Sequence, residues 1–138
     1  MLYILDTDHV SLLQRSQTPI LNRLTQIAIN DRAVTIVTVA EQMQGRLAVI
    51  SRAQTEAEVA RALTNLQNTQ AFFQTIRVLL YDEKAQSWFA QFRQQKIRVG
   101  TQDLRIAAIA LSQQATLVTR NARDFQQIPG LTITDWSY

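Results

Sequence analysis

Cysteine is missing from these 138 residues, and histidine occurs once, as His9. The first absence excludes disulfides, thiolate nucleophiles and cysteine-ligated zinc, and the second excludes the multi-histidine centre of a typical hydrolytic zinc enzyme. Long apolar runs are missing too. No stretch approaches the roughly eighteen apolar residues of a membrane span. The opening run Tyr3-Ile4-Leu5 meets Asp6 before a signal-like segment can form. The expectation is a cytoplasmic protein without a membrane partner, one domain spanning residues 1–138 and long enough to bury its own core.

Charge is modest, with fourteen basic and eleven acidic residues for a formal net of +3, so a polyanion partner is compatible but not required. The excess is local. Between Gln91 and Arg123 six basic residues (Arg93, Lys96, Arg98, Arg105, Arg120, Arg123) face one acid, Asp103, a net of +5. The remainder of the chain is slightly acidic.

Short apolar runs alternate with helical patterns. Strands are expected at Tyr3–Leu5, Val34–Val37, Ile76–Leu80, Thr116–Thr119 and Leu131–Ile133. Tyr3–Leu5 is apolar on both faces, the mark of a buried parallel strand. Helices are expected at Pro19–Ile29, Val39–Ile50, Thr55–Phe73, Glu83–Gln94 and Asp103–Gln113, with a helical hairpin turning near Ser51 to Gln54. The predicted class is α/β, a three-layer α/β/α domain around a central parallel sheet of four to five strands.

Ligands of such sheets bind at the carboxyl ends of the strands, where strand order reverses. Asp6 directly follows the first strand. Glu41 lies at the start of the helix leaving the second, with Thr38 as a cap. Asp103 begins the helix that runs into the fourth strand, and Asp124 follows that strand by five residues, with Phe125 anchoring the turn. Carboxylates gathered in one cleft repel one another, and their simplest use is to hold one or two divalent cations. With neither cysteine nor a histidine cluster the ion is a hard one, Mg or Mn. It would activate water and stabilise charge developing on a phosphodiester.

Local readings compete at each position. Asp6 could simply end a strand, Asp8 and Asp103 could cap helices, Glu41 could answer a helix dipole and Asp124 could be a turn acid. His9 reads as a helix-start side chain beside Asp8. Thr119 and Asn121 are candidates to hydrogen-bond water or phosphate, or else turn residues. Arg120 and Arg123 flank the acids and could hold phosphate oxygens, with Arg98 a further candidate.

Four stretches, "ILDTDHVS", "VTIVTVAEQMQGRL", "GTQDLRIAAIALSQQATLVTRNARDF" and "IPGLTITDW", together resemble the PIN-domain ribonucleases, specifically VapC-like toxins of bacterial toxin–antitoxin pairs, over nearly the whole chain. The resemblance implies that Asp6 is the first metal ligand, Glu41 the second acid, Asp103 the partner of Asp6 at the metal, and Asp124 a more distant fourth. It implies a Mg-dependent endoribonuclease acting on structured RNA, commonly initiator or other transfer RNA, or ribosomal RNA, as a homodimer held inactive by a small antitoxin. The chain departs from relatives at Gln44, where a bulky apolar residue is frequent, and at Asp8, where asparagine is.

In the expected mechanism Asp6 and Asp103 bind Mg, while Glu41 and Asp124 hold a second ion or orient the attacking water. Two other functions compete. One is a catalytically silent PIN domain that only binds RNA or protein. The other is a haloacid-dehalogenase-like phosphatase, whose nucleophile and acid Asp6-Thr7-Asp8 resembles; the only lysines, Lys84 and Lys96, are poorly placed for it.

Overall fold

A computed structural model of the chain describes residues 1–138. Five strands, β1 (Tyr3–Leu5), β2 (Arg32–Thr35), β3 (Arg77–Leu79), β4 (Thr116–Val118) and β5 (Thr132–Thr134), form one sheet in the order 3-2-1-4-5. Every pairing is parallel, with Ile4 opposite Ala33 and Leu117, Val34 opposite Val78, and Leu117 opposite Ile133. Seven helices connect them: α1 (Thr7–Gln14), α2 (Thr18–Thr25), α3 (Ile36–Arg52), α4 (Glu56–Phe73), α5 (Glu83–Gln94), α6 (Thr101–Ser112) and α7 (Ala122–Phe125). The result is the expected three-layer α/β/α architecture.

Side chains leave a strand on alternate faces, and the core divides accordingly. Ile4, Ala33 and Leu117 face one side, packing with α5, α6 and α7 through Phe92, Leu104, Ile109 and Phe125. Leu5, Val34 and Val118 face the other, where Val10, Ile20, Phe73 and Trp136 cover them. Both faces are dry, which explains why β1 and β4 carry no polar alternation. No helix is long and apolar enough to cross a membrane.

Several boundaries move. The run Val34–Val37 looked like strand because it is β-branched, yet β2 ends at Thr35, whose hydroxyl accepts from the Thr38 amide (3.2 Å) and caps α3. Thr38 is therefore a buried helical residue rather than the cap. The expected helix Pro19–Ile29 stops at Thr25 and a separate 3-10 turn occupies Ile29–Asp31. Helix α6 is capped at Gly100, so Asp103 sits in its first turn and not at its cap.

Candidate active site

Strand order reverses at β1. The chain runs from β1 to β2 to β3 on one side, then returns to place β4 on the other. The crevice over the carboxyl ends of β1 and β4 is where ligands of open α/β sheets bind. A cleft of about 560 Å³ opens there, lined by Asp6, Thr7, Asp8, Glu41, Asp103 and Asn121 among others.

Asp6 reaches this cleft because its backbone N–H still donates to Val118 O (3.0 Å), extending the β1–β4 ladder by one residue. Its side chain then caps α1, Oδ1 accepting from the His9 amide at 2.8 Å. The same oxygen lies 3.2 Å from His9 Nδ1. Trp136 N–H donates to His9 Nε2 (3.2 Å), and Asp135 Oδ1 lies 3.4 Å from the same nitrogen. His9 is completely buried. It is, as expected, a helix-start side chain, in the first turn of α1 next to Asp8, and it also clamps Asp6 to the C-terminal segment.

Asp8 departs from expectation. The cap of α1 is Asp6, and Asp8 instead forms an exposed two-pronged pair with Arg120, Nε to Oδ2 at 2.6 Å and Nη2 to Oδ1 at 3.0 Å. The Asp8 contact raises the pKa of the Arg120 guanidinium above its ordinary value.

Glu41 lies in the second turn of α3. Thr7 Oγ1 donates to Glu41 Oε1 (2.9 Å) and stands 3.1 Å from Thr38 Oγ1, which itself neighbours Thr35 Oγ1 at 3.5 Å. Three hydroxyls thus tie Glu41 to the end of β2. Sequence reasoning missed Thr7; its only signal was its place directly after Asp6.

Asp103 carries the clearest electrostatic signature. Its carboxyl is pushed up from 3.8 to about 6, first by burial, then by the charges of Glu41, Asp6 and Asp124 in that order. A first-turn position in a helix should favour the anion by roughly 0.3–1 kcal/mol. Crowding and burial overcome that preference, and the other three acids all act on Asp103.

They do not close into a cage. Nowhere do three histidine, cysteine, aspartate or glutamate side chains gather as a ready metal-ligand set. An all-oxygen set nonetheless suits Mg or Mn, and Mg commonly keeps several waters while using one or two carboxylates. Asp6 with Asp103 meets that lesser requirement in donor type, and a cation would relieve the repulsion recorded at Asp103.

The other predicted residues separate. Asn121 lines the cleft, its Nδ2 donating to Asp124 Oδ2 at 3.0 Å. Asp124 is half-buried beside the cleft rather than in its lining. Thr119 is buried, and its hydroxyl accepts from Asn121 N–H (2.9 Å), so it shapes the turn that presents Asn121 and Asp124. Arg120 lines the cleft, whereas Arg98 and Arg123 are exposed and do not.

A parallel sheet of this order, helix-covered on both faces and carrying acids along its carboxyl edge, defines a PIN-like domain. No protein-family model matches the chain. It is 31% identical over 140 residues to "Ribonuclease VapC1" of Haemophilus influenzae strain R2866, covering 99% of both chains. To "tRNA(fMet)-specific endonuclease VapC" of Salmonella typhimurium it is 38% identical over 76 residues, 52% of this chain and 58% of that one. The structure of VapBC-1 from nontypeable Haemophilus influenzae superposes with a TM-score of 0.80 at 27% identity, covering both chains entirely. The chain belongs to the VapC family, the PIN-domain toxins of toxin–antitoxin systems.

Proposed function

We propose that this chain, as one PIN domain over residues 1–138, is a Mg-dependent endoribonuclease toxin that hydrolyses phosphodiesters of structured RNA, with transfer RNA the substrate class. The observation that carries the proposal is the gathering of Asp6, Glu41 and Asp103 in one cleft, where burial and the neighbouring carboxylates raise the Asp103 carboxyl to about 6. Such crowding is wasteful unless a cation is to be bound. The name of the Salmonella relative supports transfer RNA as the substrate.

In this reading Asp6 and Asp103 hold the ion, or Mn in its place. When bound, the ion supplies charge stabilisation at the scissile phosphate and lowers the pKa of water. Asp6 is kept in position by His9 and by its own capping bond, and Glu41 by Thr7. Glu41 and Asp124 orient the attacking water or help hold a second ion. Asn121 fixes Asp124, with Thr119 behind it. Arg120 meets phosphate at the cleft rim, and Arg98 and Arg123 contribute to the basic surface that attracts RNA. A small cognate antitoxin silences the toxin, which acts in the cytoplasm as a homodimer.

The test is cleavage of a total transfer-RNA pool in Mg or Mn, with and without chelator, by wild type and Asp6→Asn. Asparagine still caps a helix, so this variant removes the charge and keeps α1. Metal-dependent cleavage that disappears in Asp6→Asn is the expected result. A wild type that binds RNA but cuts none of it identifies a silent PIN domain, and equal cutting by the variant places the active site elsewhere.

A further inference from the structure

A second groove, of about 530 Å³, lies between α1 and α3 and has no hydrophobic residue in its lining. It shares Thr7, Ser11 and Glu41 with the acid cleft, so the two are continuous. Their charges differ. The groove adds Arg15 and Arg46 and no acid beyond Glu41.

Neither arginine forms a salt bridge. Arg46 is nevertheless anchored, its Nε donating to Thr69 Oγ1 (2.9 Å) while that hydroxyl donates to Asn65 O (2.8 Å). A neutral anchor orients the guanidinium without neutralising it, and its terminal nitrogens stay available for a phosphate.

Two buried polar atoms have no partner, Gln14 Nε2 and Gln42 Oε1, and both residues line this groove. Gln42 is itself anchored, its Nε2 donating to Ser11 Oγ (3.1 Å), so α1 and α3 together build a polar floor for the groove. Gly45 supplies a third observation. Glycine is a poor choice inside a helix, and no packing demands it, because a Cβ there would meet nothing within 4 Å. A side chain at Gly45 would instead fill the groove.

We infer that the α1–α3 groove binds the RNA nucleotide flanking the scissile phosphodiester, with Arg15 and Arg46 holding its phosphate and the open face at Gly45 making room for it. The inference rests on the ribonuclease reading for the identity of the strand. The volume lies within the roughly 300–1,000 Å³ of sites that enclose small ligands. Continuity with the cleft where the bond would be cut favours RNA over an acidic peptide.

The experiment measures binding of a fluorescein-labelled, mixed-sequence single-stranded RNA to the full chain in chelator across a salt series, followed by cleavage kinetics in Mg. Arg15→Gln and Arg46→Gln should each weaken binding about five- to tenfold and reduce the salt slope by about one. Their KM should rise with kcat within about twofold. Gly45→Leu guards against misfolding, because leucine is a better helix former; it should weaken RNA binding without lowering the melting temperature. Arg77→Gln, at the amino end of β3 and so at the opposite end of the strands from the groove, should match wild type.

Wild-type affinity in Arg46→Gln and Gly45→Leu would overturn the inference. So would an equal loss in Arg77→Gln, failure of the wild type to bind, or poly-glutamate occupying the groove in place of RNA. If the wild type cuts no RNA while Arg46→Gln still loses binding, the ribonuclease reading fails and the subsite stands. Cutting and binding unchanged in all groove variants has the opposite meaning.

Discussion

His9 Nε2 accepts the backbone N–H of Trp136 at 3.2 Å while its Nδ1 faces Asp6 Oδ1 at the same distance. One completely buried ring thus connects an acid of the cleft to a segment 127 residues away. Trp136 is itself buried against Tyr3, ring centroids 5.2 Å apart, so the C-terminal segment closes over the face of β1.

Removing that ring should cost both stability and activity. His9→Ala leaves a cavity, an orphaned Trp136 N–H and an Asp6 carboxylate with one restraint fewer, for a loss of about 2–4 kcal/mol. Urea denaturation measures it. Cleavage by the folded fraction should fall as well, with partial recovery in His9→Gln, which can still hydrogen-bond. A variant as stable and active as wild type would show that Asp6 needs no such clamp.

Thr7→Val isolates the hydroxyl chain behind Glu41. Valine keeps the β-branched shape but breaks the links from Thr7 Oγ1 to Glu41 Oε1 and Thr38 Oγ1. The expected loss of stability is about 1 kcal/mol. Activity should fall further in proportion, about ten- to a hundredfold, because a loosened carboxylate loses its orientation. An effect confined to stability would remove Thr7 from the site.

The alternation of strands and helices was legible because each strand is a compact apolar run, and four acids could be placed at one edge once a parallel sheet was inferred. The end of β2 was not. Thr35 and Thr38 lie in a β-branched stretch whose propensity is strand, and only the cap geometry shows that the helix starts at Ile36. The role of His9 was hidden for another reason, since its partner Trp136 comes from the far end of the chain. The neutral anchoring of Arg46 by Thr69 is likewise a contact between helices, invisible to spacing along either.

The helical hairpin gives a contrast in stability. Phe73 is buried in the core, whereas Leu63 on the same helix is about half exposed (49%). Phe73→Ala should cost about 3–5 kcal/mol, and Leu63→Ala should leave the monomer within about 0.5 kcal/mol of wild type. Denaturation at low protein concentration checks both. If Leu63→Ala loses stability only as concentration rises, Leu63 belongs to the proposed homodimer interface.

Asp103 makes the last prediction one of sign. Its folded value of about 6 exceeds the ordinary 3.8, so the folded chain binds this proton more tightly than the unfolded chain does. The metal-free fold therefore carries no penalty from this group below 3.8, an increasing one between the two values, and a constant one above about 6. The gap corresponds to at most about 3 kcal/mol, and solvent screening of a half-exposed carboxylate reduces that to about 1–2 kcal/mol. Asp103→Asn should accordingly stabilise the protein in chelator at about pH 7.5, with the gain shrinking toward about pH 4.5, even as RNA cleavage is lost. Added Mg should raise the melting temperature of wild type and much less that of the variant, and the wild-type response should weaken below about pH 6 as the proton competes for the same oxygens. Destabilisation by Asp103→Asn in chelator at the higher pH would mean that the carboxylate is held by a favourable contact, and that the crowded acids are not poised for a cation.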